Sequence, residues 1–399
     1  MPQTTEARIP SAKHALALGL ALVLLTCGCE VTSALRGSIP ASAPLGPNDE
    51  RIGRIGQTVR QTMRDRGIPG VSIAVIDEGK IVWAQAFGWR DVRHRLEVDR
   101  ETQFQAGSIS KPVTALAVLV LAAEGKVNLD KDVNEYLREW RVPSKYADDP
   151  VTLRQLLSHR GGMTPHGFWG YGESDRIPSL QQILNDQDPL PGWLTFNYFG
   201  PVRVIDRPGS LYGYSGGGYC IVQRVIENVT GLPFDVAMQR IILQPLGMTR
   251  SHFHQPPHSG ETQNIAQGYG ICRGILFHDR WRVFPQQAPA GLWSTPSDLA
   301  RLILAIQAAQ SGAATGPMTP AIAREFVRPQ FDGWMGMGVF LDGQGEGRGF
   351  WHAGETWGYF ARFGAGVSNG KGWIIMCNAQ NDCFQPILQA IARESHVAE

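Results

Sequence analysis

The sequence has almost no net charge and no long block of residues of one sign. It contains 37 Lys plus Arg and 36 Asp plus Glu among 399 residues, for a formal net charge of +1 at pH 7. Proteins that bind nucleic acid usually concentrate positive charge on one surface, and no such concentration is evident here. We therefore expect no nucleic-acid partner.

Cysteine is also sparse, with six residues in the chain and no Cys-x-x-Cys pair. The pattern therefore gives no indication of a cysteine-based metal site. Cys377 and Cys383 are close enough in sequence to close a short disulfide loop in an exported protein. The apolar runs around Cys220 and Cys377 favour reduced thiols in the core instead.

The most apolar N-terminal stretch, Ala15 to Leu25, is too short to span a bilayer comfortably. Arg8 and Lys13 precede it, as in an export signal, so we predict a signal peptide over residues 1–29 and a protein of the periplasm or cell envelope. Cys29 has the position of a lipoprotein acylation site, which would attach the chain to a membrane. Lipidation at Cys27, and cleavage without lipidation, are alternatives. Residues 30–48 include a Pro-rich stretch typical of a linker.

The rest of the chain, residues 49–399, reads as one large domain of mixed α and β structure without internal repeats. Residues 70–89 have the pattern of a β-hairpin with Gly79 in its turn, and strand patterns return after about residue 331. Helical periodicity dominates between residues 112 and 330. We therefore predict an antiparallel sheet built from both chain ends, flanked by helices, with a helical region inserted between them.

A Ser-x-x-Lys sequence, Ser108 to Lys111, lies where the hairpin gives way to the first long helix. Residues three apart on a helix share a face, so the amine can reach the hydroxyl. Burial and the helix N-terminus both favour a neutral lysine that accepts a proton. Ser108 would then be a nucleophile with Lys111 as its base, unless it serves only as a helix cap. Ser368 has the same spacing to Lys371 but falls in a turn.

A second polar constellation is the loop Pro208 to Tyr219, which contains Gly-Tyr-Ser-Gly-Gly. Tyr214 would project from this loop, and its phenol could relay a proton if a nearby cation lowered its pKa. A buried tyrosine with a satisfied hydroxyl is the alternative.

Several stretches together resemble the serine β-lactamase and penicillin-recognising hydrolase superfamily, in the branch of class C β-lactamases, D-alanyl-D-alanine carboxypeptidases and family VIII carboxylesterases. The similar stretches, in chain order, are FQAGSISKPVTALAVLVLAAEGKVNLDKDVNEYL, VTLRQLLSHRGGM, RPGSLYGYSGGGYCIVQRVIENVTG, LQPLGMTRSHF, AGLWSTPSDLARLI and FWHAGETWGYFARF. The resemblance implies acylation of Ser108, proton transfer by Lys111 and Tyr214, and hydrolysis of an ester, peptide or β-lactam substrate without metal or organic cofactor. It implies nothing about oligomeric state.

The resemblance also implies a substrate site in which the N–H groups of Ser108 and Glu355 form an oxyanion hole. His352 and Gly354 match the family's strand motif, which is Lys-Thr-Gly in class C enzymes. Gly216 replaces the asparagine of the family's Tyr-x-Asn motif. Because His352 carries no permanent charge, we expect weak attraction for a substrate carboxylate and a preference for esters or peptides over β-lactams.

Two other functions compete with this one. An α/β-hydrolase would use Ser215 of Gly-x-Ser-x-Gly as nucleophile, with an acid such as Asp298 and then His352 in chain order. The sequence lacks the buried strand that such a nucleophile turn requires. The other alternative is a catalytically silent protein that binds cell-wall peptides or penicillin on the same fold.

Histidines occur elsewhere in two groups. His252, His254 and His258 form a dense cluster, but they lie in a Pro-rich stretch without the helical spacing of a zincin, so we expect a solvated loop and no metal. His159 and His166 flank a Gly-rich segment that could border the active-site cleft.

Overall fold

The structure is a computed structural model, and it describes residues 30–146, 148–187, 201–272, 275–331, 333–380 and 383–395. The predicted signal peptide, with Cys27 and Cys29, lies outside the described residues. Within the described ranges, no helix is both long enough and apolar enough to cross a membrane.

The helices are numbered in chain order. They are α1 (30–36), α2 (Glu50–Arg66), α3 (Ser110–Ala123), α4 (Leu153–Leu157), α5 (Leu180–Leu184), α6 (Gly216–Thr230), α7 (Phe234–Met238), α8 (Gln287–Ala290), α9 (Pro296–Gln310), α10 (Pro320–Phe326) and α11 (Phe384–Ser395). A π-helical turn, Gln239–Leu243, continues α7.

The strands are β1 (Gly70–Asp77), β2 (Lys80–Asp91), β3 (Leu96–Glu97), β4 (Phe104–Gln105), β5 (Gly268–Cys272), β6 (Ile275–Asp279), β7 (Trp293–Ser294), β8 (Phe340–Asp342), β9 (Gly349–Thr356), β10 (Tyr359–Gly366) and β11 (Gly372–Cys377). Seven of them form one sheet in the order β3-β2-β1-β11-β10-β9-β8.

The large sheet joins the two ends of the chain. β1 pairs with β2 on one side and with β11 on the other, and all pairs in the sheet are antiparallel. Gly79 takes a positive φ of 68° in the turn between β1 and β2, as the hairpin requires. The predicted fold class, an antiparallel sheet from both chain ends with helices inserted, is confirmed.

Both faces of the sheet are buried. Along β1, Val71, Ile73 and Val75 belong to the apolar cluster that also contains residues of α2 and α11. Ala74 and Ile76 point to the opposite face and belong to the larger cluster formed with the inserted helices. This alternation follows from the two-residue period of a strand, and it makes the sheet the rigid layer on which the helical region rests.

The segment expected to be a linker packs on the sheet over much of its length. It begins with α1, and backbone hydrogen bonds join Ser42 and Leu45 to β2 residues Ala86 and Ala84. Its small residues and prolines suggested an extended tether, but those same residue types suit an edge segment that donates few hydrogen bonds.

Three of the cysteines are buried thiols. Cys220, Cys377 and Cys383 are each buried and none is in a disulfide, so Cys377 and Cys383 do not close the short loop considered above.

Candidate active site

Ser108 lies in a single 3₁₀ turn, Gly107–Ile109, that connects β4 to α3. Gly107 allows this sharp turn because its φ is +52°, a region unfavourable for other residues. The side chain of Ser108 does not cap α3, whose N-cap residue is Ile109 without a side-chain cap. The alternative role of Ser108 as a helix cap is therefore excluded.

Lys111 lies one turn later, in the first turn of α3. Its Nζ is 2.9 Å from the Oγ of Ser108 and donates to the carbonyl of Pro289 at 3.0 Å. Burial lowers the pKa of Lys111 to about 7. With one N–H held by Pro289, a neutral amine has its lone pair available for the Ser108 proton.

Tyr214 completes the group. Its hydroxyl is hydrogen-bonded to Ser108, and Lys111 Nζ lies 4.7 Å from the centre of its ring. Burial raises the pKa of Tyr214, and this outweighs the hydrogen bond from Ser108, which lowers it. The lowered pKa considered from the sequence is therefore not found. Tyr214 is a neutral phenol near pH 7, suited to donate a proton to a leaving group.

Ser215, next to Tyr214, has a structural role. Its Oγ accepts a hydrogen bond from the N–H of Gly218 at 2.9 Å and so caps α6, and the side chain is buried. Asp298 is bound by Ser251 and Arg301 rather than by a histidine. With an antiparallel sheet and, within the described part of the chain, no triad around Ser215, the α/β-hydrolase interpretation is wrong.

The proposed oxyanion hole lies where the turn carrying Ser108 meets β9. A Cβ added to Gly354 would lie 1.9 Å from the carbonyl oxygen of Ala106 and 2.9 Å from the nitrogen of Ser108. A Cβ added to Gly107 would lie 2.9 Å from the nitrogen of Glu355. Glycine at both positions therefore lets the serine turn and β9 approach each other closely beside the backbone nitrogens of Ser108 and Glu355, the two groups expected to form the oxyanion hole.

These groups open into a cavity of about 560 Å³. Ser108, Lys111, Tyr214, Gly354 and Glu355 line it. Much of the remaining wall is aromatic or apolar: Phe168, Trp169, Pro289, Ala290, Trp357 and Phe360. No sequence motif predicts this wall, because its residues come from three separate segments that only the fold brings together.

His352 does not line this cavity. It is 1% exposed on β9, its Nδ1 lies 2.6 Å from the carbonyl oxygen of Ala353, and its ring packs against Phe340 and Tyr214 at 5.3 and 6.3 Å. Burial, reinforced by Lys111, lowers the pKa of His352 to about 3. The expected direct contact with a substrate carboxylate does not fit this position, because the ring is neutral and lies behind Tyr214.

Gly216, where the family's asparagine is absent, is also covered. A Cβ there would lie 3.1 Å from both the carbonyl oxygen of His166 and the ring of Phe168. The segment carrying these two residues therefore occupies the space that a longer side chain would need. Gly216 shapes the site through this close packing rather than by facing the cavity.

The two histidines that flank the Gly-rich segment have different positions. His166 lines the cavity, with its ring 4.8 Å from that of Tyr214. His159 is buried behind Tyr214 at 4.1 Å, and its Nδ1 accepts the N–H of Ser215 at 3.1 Å. His159 therefore orients the Tyr214 loop, while His166 forms part of the cavity wall.

Comparisons with known proteins agree with this geometry. The curated protein flp of Staphylococcus aureus (strain N315) is 26% identical over 244 residues, which cover 61% of this chain and 45% of flp. The chain thus matches less than half the length of that relative. Esterase EstB of Burkholderia gladioli is 29% identical over 280 residues, covering 64% of this chain and 70% of EstB.

Among solved structures, the octameric penicillin-binding protein homologue from Pyrococcus abyssi superposes with a TM-score of 0.65. It is 24% identical and the match covers 86% of this chain and 76% of that one. The family model named Beta-lactamase matches residues 55–395. The chain therefore belongs to the β-lactamase family.

Proposed function

We propose that this protein is a serine hydrolase that cleaves carboxylic esters through an acyl-enzyme on Ser108. The observation that carries the proposal is the contact between Ser108 Oγ and a buried Lys111 amine whose pKa is lowered to about 7. A lysine of this kind is neutral in a large fraction of molecules near pH 7, and it can remove the serine proton.

The geometry suggests a sequence of proton transfers. Lys111 takes the proton of Ser108 as Oγ attacks the substrate carbonyl carbon, and the N–H groups of Ser108 and Glu355 bind the resulting oxyanion. Tyr214 gives its proton to the leaving alkoxide and recovers one from Lys111. Water then attacks the acyl group on Ser108 by the reverse of these transfers, which releases the carboxylic acid and restores the serine.

The cavity favours an uncharged substrate. Its wall is aromatic around Phe168 and Trp357. Apart from Lys111, whose amine is neutral in about half of the molecules at pH 7, the charged side chain on the wall is the exposed carboxylate of Glu355. His352 supplies no positive charge because its pKa is lowered to about 3. A β-lactam or D-Ala-D-Ala peptide carries a carboxylate and would meet repulsion there, whereas a simple ester would not.

A comparison of two chromogenic substrates tests the proposal. We expect kcat/KM for p-nitrophenyl butyrate to exceed that for a chromogenic cephalosporin, and both to be lost in Ser108→Ala. A large preference for the cephalosporin would contradict the substrate assignment. Stable labelling of Ser108 by penicillin without turnover of any ester, amide or β-lactam would instead support the silent binding protein.

The N-terminal cysteine leads to a related proposal about location. We propose that the chain is exported and that a lipid on Cys29 attaches it to a membrane. Because residues 30–36 form α1, with Val31 and Leu35 buried against the domain, the anchor would hold the domain close to the bilayer. Partitioning into a detergent phase that is lost in Cys29→Ala supports this proposal, and unchanged partitioning contradicts it.

A further inference from the structure

The histidine cluster after the π-helical turn is not the solvated loop expected from the sequence. His252 is 4% exposed, and among the residues that the structure describes neither of its ring nitrogens has a hydrogen-bond partner. Its backbone pairs with that of Trp293, with hydrogen bonds of 3.1 and 2.9 Å in the two directions. This pairing turns the side chain inward, so a polar ring is buried without the partner that a buried polar group ordinarily has.

Two further side chains converge on His252. Glu261 lies with one carboxylate oxygen 3.7 Å from Nε2 of His252, and its other oxygen is 2.6 Å from Nδ1 of His254. One nitrogen or oxygen from each of the three residues lies within 4.8 Å of the others. Two imidazoles and a carboxylate therefore come together from positions 252, 254 and 261.

We propose that His252, His254 and Glu261 bind one zinc ion. Zinc prefers imidazole nitrogen and carboxylate oxygen at about 2.0–2.2 Å, usually in tetrahedral geometry. Ligand atoms around such an ion lie roughly 3.4 Å apart by the same geometry. His254 and Glu261 are both about a quarter exposed, so their side chains have room to rotate toward that spacing.

The surroundings fit a zinc site better than a hydrogen-bonded loop. Glu261 already accepts from the N–H of His258 at 2.7 Å, so hydrogen bonding explains its position and that of His254 but not the burial of His252. A metal ion would give one His252 nitrogen a partner. Asp235 on α7 lies 3.6 Å from Nε2 of His254, where a carboxylate can orient a metal-bound histidine.

The two imidazole ligands also indicate which class of metal ion would bind. Calcium and magnesium take oxygen ligands, whereas imidazole suits zinc and other late transition metals. The mixed set of two nitrogens and one carboxylate oxygen leaves a fourth position for water or for the exposed His258, whose ring stacks on His254 at 3.9 Å.

The site would be structural rather than catalytic. None of its three ligands lines the active-site cavity. The loop is nevertheless linked to the catalytic segment, because Gln255 donates to the carbonyl of Gly291 at 2.8 Å and the nearby Pro289 carbonyl accepts from Lys111. A zinc ion would therefore stabilise the segment that holds the catalytic lysine in place.

Zinc binding by the untagged full-length chain tests this directly. After removal of metal with a chelator, calorimetric titration with zinc chloride should saturate at one ion per chain. The melting temperature should rise with zinc concentration, since a ligand that binds only the folded state stabilises it. Absence of saturable binding would overturn the proposal.

Variants separate this site from nonspecific binding. His254→Gln and Glu261→Gln should each weaken zinc affinity by at least about tenfold, because losing even an outer-shell partner of a metal ligand typically costs about that much. His94→Gln is the matched control, because His94 also pairs with a carboxylate, that of Asp91 at 2.7 Å. Equal binding by the control and the two cluster variants would refute the assignment. Both test positions are partly exposed, so they do not depend on replacing the buried His252.

Zinc binding does not depend on whether the protein hydrolyses esters. The Ser108→Ala chain should bind zinc with unchanged affinity although it hydrolyses no ester. A zinc affinity that depends on Ser108 would place the ion at the active site and contradict the proposal.

Discussion

The pH dependence of ester hydrolysis follows from the burial of Lys111. In water its pKa would be 10.5, and in the folded protein it is lowered to about 7. This difference corresponds to about 5 kcal/mol, at about 1.4 kcal/mol per pKa unit. At pH 7 about half of the molecules then have a neutral Lys111, compared with about one in three thousand for an exposed lysine.

The neutral fraction sets the expected profile. It rises from about one tenth at pH 6 to about nine tenths at pH 8, so kcat/KM should increase about tenfold over this range and then level off. The measurement is kcat/KM for p-nitrophenyl butyrate from pH 5.5 to 9 at constant ionic strength, because kcat/KM reports ionisation of the free enzyme.

A matched variant identifies the titrating group. His166 also lines the cavity, but burial lowers its pKa from the ordinary value of 6.5, so its titration falls on the acid side of the expected midpoint. The midpoint near pH 7 should therefore persist in His166→Asn. A profile that is flat between pH 6 and 8, or one whose midpoint moves with His166, would refute Lys111 as the base.

Three further predictions concern the stability of the folded protein and the packing around the active site. Because the unfolded chain binds the Lys111 proton more tightly than the folded protein does, the free energy of unfolding should rise between about pH 7 and 10.5. Lys111→Met should therefore stabilise the protein by several kcal/mol below pH 7 but by little at pH 10, as measured by denaturant unfolding. A destabilised Lys111→Met variant would contradict the burial of a lysine with a lowered pKa. Ser215→Ala should lower the free energy of unfolding by about 1 kcal/mol through loss of the α6 cap, and it should retain most of the ester hydrolysis. Loss of all hydrolysis in a folded Ser215→Ala variant would instead indicate that Ser215 is the nucleophile. Gly354→Ala should lower both kcat and the melting temperature, since the added Cβ would lie 1.9 Å from the Ala106 carbonyl oxygen. Gly347→Ala is the control, because a Cβ there meets no atom within 4 Å, and it should change neither quantity. Equal effects of the two substitutions would argue against the close approach of β9 to the serine turn.

Local sequence patterns predicted much of the fold. Thr295, followed by proline and by Asp298, has the sequence pattern of a capped helix start, and it begins α9 with its side chain accepting from the Asp298 N–H. Strand patterns in residues 70–89 and after about residue 331 predicted that both ends of the chain contribute to the large sheet. The interval of predicted helical periodicity also includes residues 132–140, yet these contain only the short turn Val133–Glu135, because a five- to ten-residue helix has little stability without tertiary packing.

The catalytic group was predictable because its members occur in short motifs, Ser108 with Lys111 and Tyr214 within a Gly-rich loop. The environment of these groups was not. The raised pKa of Tyr214, the burial of His352 and the covering of Gly216 by Phe168 all depend on which segments pack together. The same holds for His252, whose burial results from pairing with Trp293, 41 residues later in the sequence.

Covalent labelling shows whether Ser108 is the nucleophile. A fluorophosphonate probe reacts with an activated serine, and peptide mass spectrometry locates the adduct. We expect one adduct per chain on Ser108, lost in Ser108→Ala and retained in Ser215→Ala. An adduct on Ser215, or labelling that survives Ser108→Ala, would contradict the assignment of Ser108 as the nucleophile.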